Sequence, residues 1–148
     1  MKSYTPSAND YIEMAFRFAG VDQNYNRVGL LMADGTTFGS GSQVMWFHSF
    51  SQSLVAISPY TGYNTDIGGA TTKAMKYSTA GTGTFFIRLK YEGSNHWRGY
   101  ISADGISWAD LTGQITLTLS PTKIGFFVTT YGATSPFVAS LYYFKQSA

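Results

Sequence analysis

The sequence predicts an all-β protein, an antiparallel sandwich of two sheets. Three observations predict it. Apolar residues recur at every second position nearly everywhere, the period of a strand with one buried face. Turn-forming residues punctuate the chain about every 8–12 residues. No segment of about ten residues or more carries a 3.6-residue period with caps. At 148 residues and 44% hydrophobic, the chain is long enough and apolar enough to fill one core.

The elements follow in order. Residues 1–9 read as a flexible lead-in, and residues 10–148 as a single sandwich domain. Ile12, Met14, Phe16 and Phe18 alternate with Glu13, Ala15 and Arg17, which reads as a half-buried strand. Val28, Leu30 and Met32 mark the next strand, ended by Ala33-Asp34-Gly35. Gln43 to Phe50 and Ser53 to Tyr60 form two runs with a polar break at Ser51 and Gln52, a hairpin pattern. The stretch from Thr61 to Tyr77 is a long loop with room for one short strand. Phe85, Ile87 and Leu89 alternate against Arg88 and Lys90, and "EGSN" then turns the chain. "HWRGYIS" and "ISWADL" flank Asp104-Gly105, the strongest short-range hairpin signal in the sequence. Ile115, Leu117 and Leu119 mark another strand. "KIGFFVTTY" and "FVASLYYF" close the chain as a pair. Phe16, Phe18, Phe85, Phe126 and Phe144 are the expected core aromatics, each worth about 1.5–3 kcal/mol by burial.

Composition narrows the function classes. Charged residues are 12% of the chain, about half the usual share of roughly 25%. Net charge is +2 and the cations are scattered, so no nucleic-acid partner is expected. Apolar runs are too short for membrane insertion. The N-terminal "MKSYTPSAND" has no apolar h-region, so no signal peptide is expected there. Cysteine is absent, which removes disulfides and thiolate metal sites.

Catalysis is not expected. Glycoside hydrolysis needs two carboxylates about 5–5.5 Å or about 6.5–9.5 Å apart across one bond. Glu13 and Glu92 are the only glutamates; Asp104 belongs to a turn, and Asp110 stands alone after Trp108. His48 and His96 come with no G-x-S-x-G elbow. The run S-x-D-G-x-S-W from Ser102 to Trp108 is similar to the Asp box of sialidase propellers. A propeller needs four or more blades, which a chain of this length cannot build.

Low charge with 11 Tyr, 11 Phe and 3 Trp suits a neutral, ring-shaped ligand stacked on aromatic faces. In "VMWFHSF", Met45 and Phe47 are the more apolar pair and are expected to face the core. Trp46 and His48 are then carbohydrate-binding candidates on the outer face; in the alternative, Trp46 is buried and His48 sits near the rim. "HWRGYIS" sets Trp97, Gly99 and Ile101 against His96, Arg98, Tyr100 and Ser102, making Arg98 and Tyr100 candidates or a solvated face. The loop "YTGYNTD" adds Tyr60, Tyr63, Asn64 and Asp66, and "DQNYNR" adds Tyr25, since loops on rigid scaffolds carry recognition and tyrosine serves it well.

The C-terminal half carries a resemblance. Phe86-Ile87-Arg88-Leu89, the stretch from Tyr100 to Trp108, Ile124-Gly125-Phe126-Phe127 and Leu141 to Phe144 resemble successive strands of the concanavalin A-like lectin and laminin G jelly-roll domains. The likeness runs from about Asp10 to Lys145, with specific motifs only from about Gly83. It implies a jelly-roll sandwich of the kind found in carbohydrate-binding modules, glycosidase appendages and phage tail adhesion proteins. Catalytic relatives carry an E-x-D-x-x-E strand, which is absent here. Many relatives hold Ca²⁺ through Asp and Asn oxygens. Asp22, Asn24, Asn26, Asn64 and Asp66 are of that type, though ordinary loop formation is the preferred reading and no cofactor is expected.

The expected function is therefore non-catalytic recognition of a cell-surface glycan or receptor, on a virion or outside the cell, in a phage tail or similar adhesion device alongside other virion or parent-protein domains. A structural virion domain that binds no sugar is the alternative, and a glycosidase or its appendage the second.

Overall fold

The computed structural model describes residues 2–20, 26–33, 43–49, 54–61, 73–76, 84–116, 121–130 and 137–147. They form eleven strands: β1 (Lys2–Ser3), β2 (Tyr11–Gly20), β3 (Asn26–Ala33), β4 (Gln43–Ser49), β5 (Leu54–Thr61), β6 (Lys73–Lys76), β7 (Thr84–Gly93), β8 (His96–Ser102), β9 (Ala109–Thr116), β10 (Lys123–Thr130) and β11 (Phe137–Gln146). All pair antiparallel. One sheet has the order β1-β10-β3-β4-β5-β6 and the other β11-β2-β7-β8-β9. No helix occurs among the described residues, as the unbroken two-residue period requires.

The core lies between the sheets. Ile12, Met14 and Phe16 of β2, Ile87 and Leu89 of β7, and Trp97 and Ile101 of β8 meet Val28, Leu30 and Met32 of β3 and Ile124 of β10. Registers Ile12↔Leu89, Met14↔Ile87 and Ile87↔Ile101 align one apolar face across three strands. Trp97 is fully buried with Tyr91 tilted against it, centroids 4.8 Å apart.

Several expectations change. The lead-in is not loose: Lys2 and Ser3 pair with Ile124 and Lys123, and Tyr4 is buried in the core. The turn at 7–10 is tied to β7, since Asn9 N–H donates to Tyr91 O at 2.7 Å and Tyr91 N–H to Asp10 O at 2.8 Å. Phe126 is 49% exposed rather than buried. Beyond Ile124, β10 has lost β1 as a neighbour, and β11 edges the opposite sheet, so Phe126 and Phe144 meet at an open flank with centroids 6.5 Å apart. Phe16 is buried and Phe144 partly so; the side chains of Phe18 and Phe85 lie outside the described set.

The hairpins also differ. The two-residue turn is Ser94-Asn95, both at positive φ (51° and 61°), between β7 and β8. That is type I′ geometry, which matches strand twist. At Asp104-Gly105 only Gly105 is at positive φ (74°), and residues 103–108 form a wider loop. Ile106 to Trp108 therefore belong to the loop, and β9 begins at Ala109.

Candidate functional site on the five-stranded sheet

The loop after β8 is held by side chains. Ser102 Oγ donates to Asp104 Oδ1 at 2.9 Å and accepts from Gly105 N–H at 2.8 Å. Asp104 Oδ1 also accepts from the N–H groups of Ile106 and Ser107, both at 2.8 Å. Those backbone donors lead the causes that hold the Asp104 carboxyl down at about 2. Gly105 is required twice over: by its φ, and because a Cβ would stand 2.9 Å from the Phe86 ring. Trp108, at the end of this loop, lies over the guanidinium of Arg88 at 3.9 Å.

Arg88 belongs to a row that crosses the whole sheet. In register, Lys145 of β11 stands beside Glu13 of β2, then Arg88 of β7, Tyr100 of β8 and Asp110 of β9. Directly opposed residues in antiparallel strands share a face. This is the face turned away from the core, because Ile12, Met14, Ile87 and Leu89 take the alternate positions.

Glu13 is 1% exposed despite that outward position. Its Oε2 accepts from Arg88 Nε at 2.8 Å and Nη2 at 2.6 Å. Its Oε1 accepts from the Tyr143 hydroxyl and from Lys145 Nζ at 3.0 Å. Burial alone would raise its pKa, but the bonds from Tyr143, Arg88 and Lys145 more than offset that and hold it below the usual carboxylate range. Burial, reinforced by the anionic Glu13, pushes the Tyr143 phenol well up. Tyr11 covers Arg88 at 4.3 Å, and Lys145 lies 5.9 Å from the Tyr11 ring and 5.5 Å from that of Tyr143. A guanidinium clamped by one carboxylate and two rings is fixed in place before any ligand arrives.

A second network lies beside it. Arg98 Nε donates to Glu92 Oε1 at 2.8 Å and Arg98 Nη1 to Asp110 Oδ2. Gln114 Nε2 donates to Glu92 Oε2 at 2.9 Å. The bonds from Arg98 and then Gln114 hold Glu92 below its ordinary pKa, while Glu92 and Asp110 raise that of Arg98. Arg98 is thus committed to two carboxylates. Tyr100, half-buried next to Arg88, has a phenol raised chiefly by burial.

The structure splits the sequence candidates between the sheets. Met45 stands in register with buried Met32, and Trp46 takes the alternate position opposite Leu31 and Ser58. His48 pairs with Ala56 and Tyr60 with Val44, all in the six-stranded sheet. Arg98 and Tyr100 lie on the five-stranded sheet. Tyr25, Tyr63, Asn64 and Asp66, and the calcium candidates Asp22 and Asn24, fall outside the described residues. Among the described residues no three His, Cys, Asp or Glu gather as a metal site, and no helix is long and apolar enough to cross a membrane. Tyr11, Glu13, Arg88, Trp108, Tyr143 and Lys145 are not among the binding candidates that the sequence offers. Their one signal was position: Glu13 and Arg88 alternate with core residues.

No family model matches the sequence, and neither does any curated protein. Solved structures do resemble it. A GH43 protein from Bacillus licheniformis superposes with TM-score 0.66 at 12% identity, over 96% of this chain and 28% of that one. A functionally unknown protein from Saccharomyces cerevisiae superposes with TM-score 0.61 at 13% identity, over 99% of this chain and 72% of that one. The exoplasmic/lumenal domain of VIP36, in its Ca²⁺/Man3GlcNAc-bound form, superposes with TM-score 0.57 at 11% identity, over 86% of this chain and 64% of that one. The chain thus spans little more than a quarter of the GH43 protein and just under two thirds of the VIP36 domain. At such identities the likeness is one of fold, and the fold is the concanavalin A-like sandwich of two antiparallel sheets.

Proposed function

We propose that this sandwich is a non-catalytic recognition module that binds carbohydrate on the outer face of its five-stranded sheet. The observation that carries the reading is the ordered row Lys145–Glu13–Arg88–Tyr100–Asp110, flanked by the half-exposed rings of Tyr11, Trp108 and Tyr143. Aromatic faces beside a few fixed polar groups suit a sugar, which has an apolar side and a rim of hydroxyls. The fold shared with a Man3GlcNAc-bound domain and a GH43 protein supports the class of ligand. The setting we propose is the one the cysteine-free, low-charge texture favours: an adhesion device on a virion or another extracellular surface.

The chemistry of the face favours binding over catalysis. A general acid for glycoside cleavage needs a carboxyl whose pKa is raised. Here Glu13 and Glu92 are held below the ordinary range, and Asp110 is bonded to Arg98.

The assembly alternative draws on a different surface. Phe126, Val128, Val138, Leu141 and Tyr142 are all exposed on β10 and β11, and exposed apolar residues on two strands offer surface for contact with another protein.

A glycan array followed by calorimetry tests the reading, with Trp108→Ala and Trp46→Ala side by side. We expect saturable binding that Trp108→Ala weakens by about 2 kcal/mol, roughly thirtyfold in Kd, and that Trp46→Ala leaves unchanged. Binding lost only with Trp46→Ala would move the site to the six-stranded sheet. No binding to any glycan, with a stable oligomer dispersed by Leu141→Lys, would establish assembly instead.

A further inference from the structure

We propose that the five-stranded face holds a subsite for an acidic sugar, whose carboxylate is taken by Arg88 and Lys145. The inference rests on the carbohydrate-binding reading and specifies its ligand. It begins from charge. Arg88 and Lys145 both contact Glu13, and among the described residues no other carboxylate is within ion-pair distance of either. Two cations against one carboxylate leave one positive charge uncompensated. The neighbouring Arg98 has no such surplus, since Glu92 and Asp110 both bond to it. The excess therefore sits at the Arg88–Lys145 end of the row.

The donors there are open. Glu13 engages Nε and Nη2 of Arg88, and among the described residues no hydrogen bond takes Nη1. The side chain of Arg88 is 23% exposed and that of Lys145 51%. A guanidinium edge beside an ammonium is a matched receptor for a planar carboxylate. Because Glu13, Tyr11 and Trp108 already fix Arg88, little ordering is left to be lost when a ligand binds. The same two rings border the charge and supply the surface on which the pyranose bearing that carboxylate would stack. A neutral sugar would use the rings and leave the excess charge unanswered.

Calorimetry at low salt tests this with matched saccharide pairs: sialylated and desialylated glycans, and uronate oligosaccharides against their methyl esters, with sulfated counterparts alongside. The acidic member should bind at least about tenfold more tightly than its neutral partner, and the gap should narrow as salt rises. Lys145→Gln should weaken acidic sugars at least about tenfold more than their neutral partners and so collapse the preference, and carboxylated sugars should exceed sulfated ones. Equal binding of acidic and neutral partners, a preference that survives Lys145→Gln, or a stronger response to sulfate would overturn the acidic subsite but leave the recognition module standing. Failure of every saccharide to bind would overturn both.

Discussion

Glu13 stands on the solvent side of its sheet and is nevertheless enclosed, because four donor atoms on Arg88, Lys145 and Tyr143 close over it. Removing it would leave two cations facing each other with nothing between them. Glu13→Ala should lower the unfolding free energy by about 3 kcal/mol, seen as a fall in the urea midpoint with the slope unchanged. The same bonds set the acid response. A carboxylate whose folded pKa lies below its unfolded value adds stability above the unfolded pKa and loses it as pH falls through the folded one. Glu13 and Glu92, both lowered, and Asp104, moved from 3.8 to about 2, all act in this sense. Stability should be flat from neutrality to about pH 5 and fall below it, and the Tm gap between the native chain and Asp104→Ala should close as pH approaches 2. None of these partnerships was legible in the sequence. Glu13 is separated from Arg88 by 75 residues and from Tyr143 by 130, and no local pattern pairs positions so far apart.

Among the elements, the two hairpins around β8 separate what a turn motif promises from what it builds. Asp104-Gly105 has the composition of a tight primed turn, yet Asp104 uses its side chain to organise a wider loop that brings Trp108 onto Arg88. Ser94-Asn95 has no glycine among its central residues and is the true type I′ turn, with Gly93 at positive φ just before it. Opposite outcomes follow. Gly105→Ala should cost about 2 kcal/mol through backbone strain and the clash with Phe86, lowering Tm by about 4–8 °C. Ser94→Asn combined with Asn95→Gly should raise stability by about 0.5–1 kcal/mol, because that pair is pre-shaped for the turn. Strand positions were largely legible, since alternation in β2, β7 and β8 reports which face is buried. Turn type was not, since it depends on whether a side chain competes for backbone donors.

The described strands present two outer faces and a flank where Phe126 meets Phe144, and function depends on which surface meets a partner. Periodicity revealed the sandwich and the alternation within each strand. It did not reveal register, so Trp46 and Arg98 could not be assigned to different sheets beforehand. Nor did it show that β1 covers only one end of β10, which is why Phe126 ended outside the core. The three tryptophans now serve as reporters: Trp97 in the core, Trp108 on the five-stranded face and Trp46 in the six-stranded sheet. A glycan titration followed by heteronuclear NMR of the indole N–H signals tests the central claim most directly. The account predicts a saturable shift of the Trp108 indole while those of Trp97 and Trp46 stay in place; movement of the Trp46 indole alone, with Trp108 unmoved, would contradict it.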